Sequence, residues 1–162
     1  MKIAAAVGRS LARLLTGRVH FLRAEIGETL TMEDGERFTV FRHVQVKGAD
    51  EPAAVFIVRF TPARMSVRQN IRFSILPMIL LLGFRGFREK YWCVNPESGM
   101  CQGIYAWQTL ADAEAYSESI ALRFMTRRSQ PGSVSHRILD QTREPYWALR
   151  KPKWESATIR VV

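Results

Sequence analysis

Cysteine is scarce in this sequence. There are two, Cys93 and Cys101, too few for a disulfide framework or a zinc site. They flank the turn at residues 95–99 almost symmetrically. They therefore either face each other across a hairpin or are two buried thiols in a reducing compartment, which is the commoner arrangement. No metal site is predicted.

Long apolar runs are also missing. The longest, residues 75–84, is interrupted by Pro77 and is too short to span a bilayer. A shorter run at residues 3–7 ends at Gly8 and Arg9, and no secretory signal is visible. We therefore predict a cytoplasmic protein.

The common cofactor and catalytic motifs are absent. The sequence has no glycine-rich phosphate loop, no Gly-x-Ser-x-Gly elbow, and neither His-Glu-x-x-His nor Cys-x-x-Cys spacing. Flavin, nicotinamide and nucleotide-hydrolysing activities lose support accordingly. No cofactor is predicted.

Positive charge is in excess. The formal net charge is +9, and most of the cations are arginine. This excess suits an anionic partner, either nucleic acid or an acidic membrane surface, or it only keeps the protein soluble. No strand has the aromatic and basic pattern of an RNA-binding surface. The sequence therefore argues against nucleic acid, and an anionic membrane surface is the better candidate of the two.

The length and composition suit one domain with extensions. The chain has 162 residues, of which 47% are hydrophobic and 24% charged, as in a globular protein. We divide it into an N-terminal helix and β-hairpin extension (residues 1–53), a main domain (54–140) and a basic C-terminal tail (141–162). The tail is expected to wrap a surface without a core of its own.

The N-terminal extension combines a helix and a hairpin. Residues 1–15 predict a basic amphipathic helix, with apolar residues on one side and Lys2, Arg9 and Arg13 on another. Such a helix suits the headgroup region of an anionic membrane; docking on the sheet or on a partner subunit is the slightly favoured alternative. Asp34 and Gly35 then predict a hairpin turn between residues 26–32 and 38–46.

The main domain alternates strands and helices. Strands are predicted at residues 55–60, 87–94, 100–107 and 133–139, and the first is apolar on both faces. The first helix starts with Thr61 as N-cap and Pro62 as its first residue, and is kinked or divided at Pro77. The second begins at a capping box formed by Thr109 and Asp112. Its predicted apolar face comprises Ala113, Tyr116, Ile120 and Phe124.

The order β-α-β-β-α-β predicts an α+β fold. It corresponds to a ferredoxin-like antiparallel sheet with two helices on one face. The other face is then left open, although both parities of the central strands carry apolar residues. A second copy is the simplest cover for that face. We therefore predict a homodimer.

Three segments of the main domain share a pattern with a known family. Residues 86–92 have the form Gly-Phe-x-x-Lys-x-Trp, residues 103–107 contain Gly-Ile-Tyr, and residues 113–116 have the form Ala-x-x-Tyr. In these features residues 54–140 resemble the YdhR-type monooxygenase-like proteins. Those are dimeric α+β barrels, related in fold to the antibiotic-biosynthesis monooxygenases.

The resemblance implies a pocket between sheet and helices for a small apolar or aromatic molecule. In cofactor-free oxygenases of this fold, the deprotonated substrate itself supplies electrons to dioxygen. The protein then needs an apolar cavity, a base near neutral pH, and donors for the developing anion. Some barrels of this fold instead bind haem through one histidine, which leaves haem open here.

His136 is the candidate catalytic base. It lies in a predicted core strand beside Val134 and Ile138, although a histidine there more often has a structural role. The other two histidines are His20 and His43.

Five residues are candidates for binding the ligand. Tyr105, Trp107, Trp92 and Tyr116 would line the pocket, unless they are only core aromatics. Arg59 lies in an apolar strand and needs a partner if buried. That partner is either Glu89 or a carboxylate of the ligand.

Three functions stay open on this basis. The first is a pocket protein acting on an aromatic metabolite, as a cofactor-independent monooxygenase, an isomerase or a cyclase. The second is a non-catalytic ligand-binding or interaction dimer. The third is a peripheral membrane-associated protein that uses the basic helix and tail.

Overall fold

The computed structural model describes residues 3–47 and 51–141. Its helices are α1 (Ile3–Leu15), α2 (Val67–Phe73), α3 (Ile75–Leu81), α4 (Leu110–Ser117) and α5 (Ile120–Arg127). Its strands are β1 (Val19–Leu22), β2 (Thr29–Thr31), β3 (Arg37–Val46), β4 (Ala54–Phe60), β5 (Phe87–Val94), β6 (Cys101–Trp107) and β7 (Ser135–Asp140). The prediction for the tail falls outside the described residues, except for Gln141.

The strands form one antiparallel sheet. Seven strands take part, in the order β1-β3-β5-β6-β4-β7, and β2 pairs with β3 beside this path. Strands β4 to β7, with the helices between them, have the ferredoxin-like order, which confirms the predicted fold class. The N-terminal strands extend the same sheet, because β3 pairs with β5 along most of its length.

The first predicted helix starts and divides elsewhere. Thr61 is not its N-cap: α2 begins after Ser66, whose hydroxyl accepts the Gln69 N–H while the Gln69 side chain accepts the Ser66 N–H. The break before α3 falls at Ser74 rather than at Pro77. Pro77 lies in the first turn of α3, where a backbone N–H would have no partner within the helix. In one continuous helix its ring would clash with the carbonyl four residues earlier, so the helix divides before Pro77.

The second predicted helix is two helices. Thr109 is the N-cap of α4, as predicted, and its hydroxyl accepts the Asp112 N–H. Ser119 is a second N-cap that starts α5. Because of this break, the predicted apolar face is only partly buried: Ile120 is 58% exposed and Phe124 is 49% exposed.

Each face of the sheet has its own core. The helix-side core packs strand residues such as Phe56 and Trp107 against α3, α4 and α5. The hairpin-side core packs Val55, Ile57 and Ile104 against Leu30, Met32 and Phe38 of the β2–β3 hairpin.

The second face of the sheet is therefore not open. Val55, Ile57 and Ile104 are at most 3% exposed within the single chain. The premise from which a dimer was predicted is wrong, because the hairpin of the N-terminal extension folds over this face. The homodimer itself stays a prediction.

Helix α1 docks through its polar side. Arg9 Nε donates to the Gly83 carbonyl at 2.7 Å, and Arg13 donates to the carbonyls of Leu82 and Phe84. These carbonyls end α3, where cations are favoured. Arg9 and Arg13 thus face the fold, as in the slightly favoured alternative in which this helix docks, and attachment to a membrane stays a prediction.

The apolar side of α1 is left outward. Leu11 is 52% exposed and Leu15 is 87% exposed. Lys2 lies outside the described residues. Within the described parts of the chain, no helix is long and apolar enough to cross a membrane.

Candidate active site

A cavity lies between the sheet and the helix layer. The free volume of this cavity is about 80 Å³. Its wall is largely apolar and combines residues of the sheet with residues of α2, α3 and α5. Prominent wall residues are Phe60, Phe73, Trp92, Ala121, Phe124 and Arg128.

Lys90 points into this cavity from β5. Side chains alternate along a strand, so Lys90 and Trp92 share the helix-side face while Glu89 and Tyr91 take the other. Lys90 is only 7% exposed. Its Nζ lies 4.2 Å from the ring centre of Trp92 and 4.0 Å from that of Tyr105.

Two phenols complete the polar part of the site. Lys90 Nζ donates a hydrogen bond to the Tyr105 hydroxyl at 2.6 Å. The Tyr116 hydroxyl, from α4, donates to the same oxygen at 3.2 Å. The oxygen of Tyr105 accepts both bonds, so its own hydrogen remains for a ligand. Both tyrosines are at most 5% exposed.

Gly103 makes room for this arrangement. A Cβ at this position would lie 2.6 Å from the ring of Tyr105. The ring therefore folds back across the backbone of Gly103, a placement that any other residue would obstruct. The Gly-x-Tyr spacing of the sequence motif thus positions the hydroxyl that binds Lys90.

Burial controls the electrostatics of the site. Desolvation lowers the pKa of Lys90 well below its usual range, and the nearby positive charge of Arg42 lowers it further. Desolvation likewise raises the pKa of Tyr105, and raises that of Tyr116 to about 12. The site therefore favours a neutral amine beside two protonated phenols.

No carboxylate balances the amine. Among the described residues, the ion pairs involve Arg59, Arg137 and His43, and none involves Lys90. Arg42, the neighbouring cation, is itself held by the hydroxyl of Ser74 and the carbonyl of Ile71. An unpaired buried amine is costly to charge, and such groups occur preferentially at functional sites.

The structure brings three of the predicted residues into the cavity wall. Trp92, Tyr105 and Tyr116 line it. Trp107 is fully buried in the helix-side core and does not line the cavity. Its indole N–H has no hydrogen-bond partner.

Arg59 lies on the opposite face of the sheet. It forms an ion pair with Asp34 and donates to the Gln102 side chain at 2.7 Å. The expected pairing with Glu89 does not occur, because Glu89 is bound to His43. Arg59 is also absent from the cavity wall.

His136 lies outside the cavity. Strand β7 is an edge strand rather than a core strand, and His136 is exposed. Its ring packs at 5.3 Å from that of Phe56. We therefore do not carry His136 forward as the base.

The cysteines do not form a disulfide. Both are free, and Cys101 pairs with Val94 across the hairpin while Cys93 pairs with Gln102. They consequently lie on opposite faces of the sheet. Burial raises the pKa of the Cys101 thiol, which lines the cavity, to about 11.

The described residues do not fit haem ligation or a metal. None of His20, His43 and His136 lines the cavity, and in this part of the chain no group of acidic, histidine or cysteine side chains could hold a metal ion. His43 is occupied by two carboxylates.

Sequence reasoning missed Lys90, although the signal was present. Lys90 is the lysine of the Gly-Phe-x-x-Lys-x-Trp pattern. It shares the parity of Trp92, which was expected to line a pocket, so a strand position facing the core carries an amine.

The structure is similar to solved structures of monooxygenase-like proteins. One is an uncharacterised ferredoxin-fold protein of Listeria monocytogenes, related to antibiotic biosynthesis monooxygenases. It has a TM-score of 0.53 and 13% identity, over 79% of this chain and 85% of that chain. A monooxygenase-like protein of Listeria innocua has a TM-score of 0.52 and 9% identity, over 80% and 85%.

An enzyme of stated activity also shares the fold. The heme-degrading enzyme of Listeria monocytogenes has a TM-score of 0.52 and 10% identity, over 80% of this chain and 91% of that chain. At such identities the similarity shows the fold alone. No protein-family model and no curated protein matches the sequence.

Proposed function

We propose that this protein binds a small aromatic molecule with an acidic proton in its cavity, and oxygenates it with dioxygen without a cofactor. The observation that carries the proposal is the unpaired, buried amine of Lys90, 2.6 Å from the Tyr105 hydroxyl. The monooxygenase-like proteins that share the fold, and the resemblance to the YdhR type, support it.

The amine takes the role of the base. Lys90 would remove the proton of a phenol or activated methylene, and the Tyr105 hydroxyl would donate to the oxygen on which negative charge develops. The apolar wall excludes water from the anion. The electrons that reduce dioxygen then come from the substrate.

The balance can be written for 1-naphthol. One naphthol and one dioxygen give 1,4-naphthoquinone and one water. One oxygen atom enters the ring carbon opposite the hydroxyl, and the other leaves as water with the two hydrogens removed. The naphthol is oxidised and dioxygen is the only oxidant required.

Filling the cavity tests the proposal. Ala121 lines the cavity from α5, so Ala121→Phe is expected to weaken 1-naphthol binding by more than about tenfold by occupying the ligand volume. Calorimetry measures the affinity and an oxygen electrode the turnover. Ala111→Phe, on the exposed side of α4, is the matched control and should bind as the wild type does. Equal binding by both variants would place the ligand elsewhere.

A second candidate function uses the outward side of α1. Its exposed leucines, on a chain with net charge +9, support attachment to an anionic membrane surface. The double variant Leu11→Ser, Leu15→Ser is expected to lose binding to phosphatidylserine vesicles in a sedimentation assay. Light scattering on the wild type and on the double variant tests the proposed homodimer, and we expect the mass of a dimer for both. Unchanged vesicle binding would remove this candidate.

A further inference from the structure

The amine of Lys90 is the strongest nucleophile facing the cavity. Burial disfavours its charged form, and a neutral, desolvated lysine attacks carbonyl carbons. The thiol of Cys101 is a poor competitor because burial raises its pKa to about 11. The Asn70 side chain donates an N–H to its sulfur at 3.1 Å, which lowers this pKa but offsets only part of the effect of burial.

The phenols stand where the proton transfers of such an attack occur. The Tyr105 oxygen accepts from Lys90 Nζ and from the Tyr116 hydroxyl. A carbonyl compound attacked by Nζ would bring its oxygen close to the free hydrogen of Tyr105. We propose that Lys90 forms a covalent imine with an aromatic aldehyde or ketone in this cavity, with Tyr105 and Tyr116 transferring the protons. The inference rests on the proposed function only in that the cavity binds a ligand.

The step balances without a redox partner. The nitrogen lone pair forms a bond to the carbonyl carbon, and the carbonyl oxygen takes a proton from the Tyr105 hydroxyl, giving a carbinolamine. The nitrogen then returns a proton to the tyrosinate. Loss of the carbinolamine hydroxyl, protonated again through Tyr105 and Tyr116, leaves an iminium and one water. The iminium nitrogen then returns its proton to the tyrosinate, which gives the imine. Nothing is oxidised or reduced.

The wall defines the class of carbonyl compound. Trp92, Phe73 and Phe60 line the cavity, so an aromatic body is favoured. We therefore expect aryl aldehydes and ketones to react in preference to small hydrated aldehydes. The amine is available for this reaction because no carboxylate is paired with Lys90 to keep it protonated.

Reductive trapping tests the inference on the full-length protein. Benzaldehyde and sodium cyanoborohydride at pH 7 should benzylate Lys90 more than about tenfold faster than Lys47. Lys47 is exposed and serves as the reference for a lysine amine in contact with water. Peptide mass spectrometry measures the label at each lysine. Equal rates at the two positions would overturn the inference.

Two variants separate the chemistry from mere access. Tyr105→Phe keeps the ring and removes the hydroxyl, so trapping at Lys90 should slow relative to the wild type. Ala121→Phe should block both benzaldehyde trapping and 1-naphthol binding. If 1-naphthol binds the wild type but benzaldehyde is not trapped at Lys90, the imine is wrong and the proposed function stands. If neither compound enters the cavity, both fail.

Discussion

Replacing Lys90 by methionine is expected to slow turnover strongly without destabilising the protein. Loss of a general base typically costs 10²–10⁴-fold in rate, and we expect kcat/KM for 1-naphthol to fall by about that factor. Methionine is of similar length and has no amine to desolvate, so the free energy of unfolding should be maintained or raised. Oxygen uptake and urea unfolding measure the two effects.

The same variant reveals the protonation state of the amine. The pKa of Lys90 is lowered in the folded protein and is about 10.4 in the unfolded chain. Between these values the unfolded chain holds a proton that the folded protein lacks, so stability rises with pH. The contribution of Lys90 to the free energy of unfolding is fully present above about pH 10.4. It is lost as the pH falls towards the pKa of Lys90 in the folded protein.

The slope isolates this one group. Relative to Lys90→Met, the wild type should gain up to about 1.4 kcal/mol per pH unit within that window. Lys47→Met, which removes an exposed lysine, should show no such slope against the wild type. Lys90→Arg should destabilise the fold, because a guanidinium stays charged when buried. A constant difference between wild type and Lys90→Met from pH 7 to 10 would show that the amine is an ordinary ammonium.

The order of the main elements could be read from local sequence. Strand formers and turn residues predicted β4 to β7, and Thr109 was correctly identified as a helix N-cap. The helix boundaries were less accessible, because Thr61 and Ser66 are both suitable N-caps. After β4, Pro62 forms an isolated β-bridge with Ser129. This long-range contact keeps the chain extended past Thr61, so that Ser66 becomes the N-cap.

The pairing of strands that are distant in the sequence was the main feature that local sequence patterns could not predict. Strand β1 has four residues and is stabilised by pairing with the far end of β3. The docking of β3 on β5 and the folding of the hairpin over the second face depend on contacts between distant segments. Without them the sheet was expected to have an open apolar face, and from this the dimer was inferred.

Only part of the site could be predicted, because the position of each strand in the sheet depends on the same long-range pairing. Trp92, Tyr105 and Tyr116 were chosen as large aromatics on facing elements, and they do line the cavity. His136 was chosen among the three histidines because it lies in a predicted core strand, but that strand lies at the sheet edge. Lys90 was overlooked because an isolated lysine in a sequence is usually exposed.

A buried cluster of one histidine and two carboxylates, on the other face of the sheet, also escaped sequence reasoning. His43 is 2% exposed, and its Nδ1 lies 3.0 Å from a carboxylate oxygen of Glu25. Its Nε2 lies 2.6 Å from a carboxylate oxygen of Glu89, and its ring stacks on Tyr91 at 3.9 Å. The imidazole thus joins the loop before β2 to strand β5.

Replacing His43 by leucine should therefore cause one of the largest losses of stability in this protein. The change leaves two carboxylates in a buried site without their common partner, which typically costs about 3–5 kcal/mol. His20→Leu is the matched control, because Nε2 of His20 is buried without a hydrogen-bond partner and its loss should cost little. Adding Glu89→Gln to His43→Leu removes one of the stranded charges and should recover part of the loss. Urea unfolding of the four proteins measures these differences, and a loss below about 1 kcal/mol for His43→Leu would show that the two carboxylates do not depend on the imidazole.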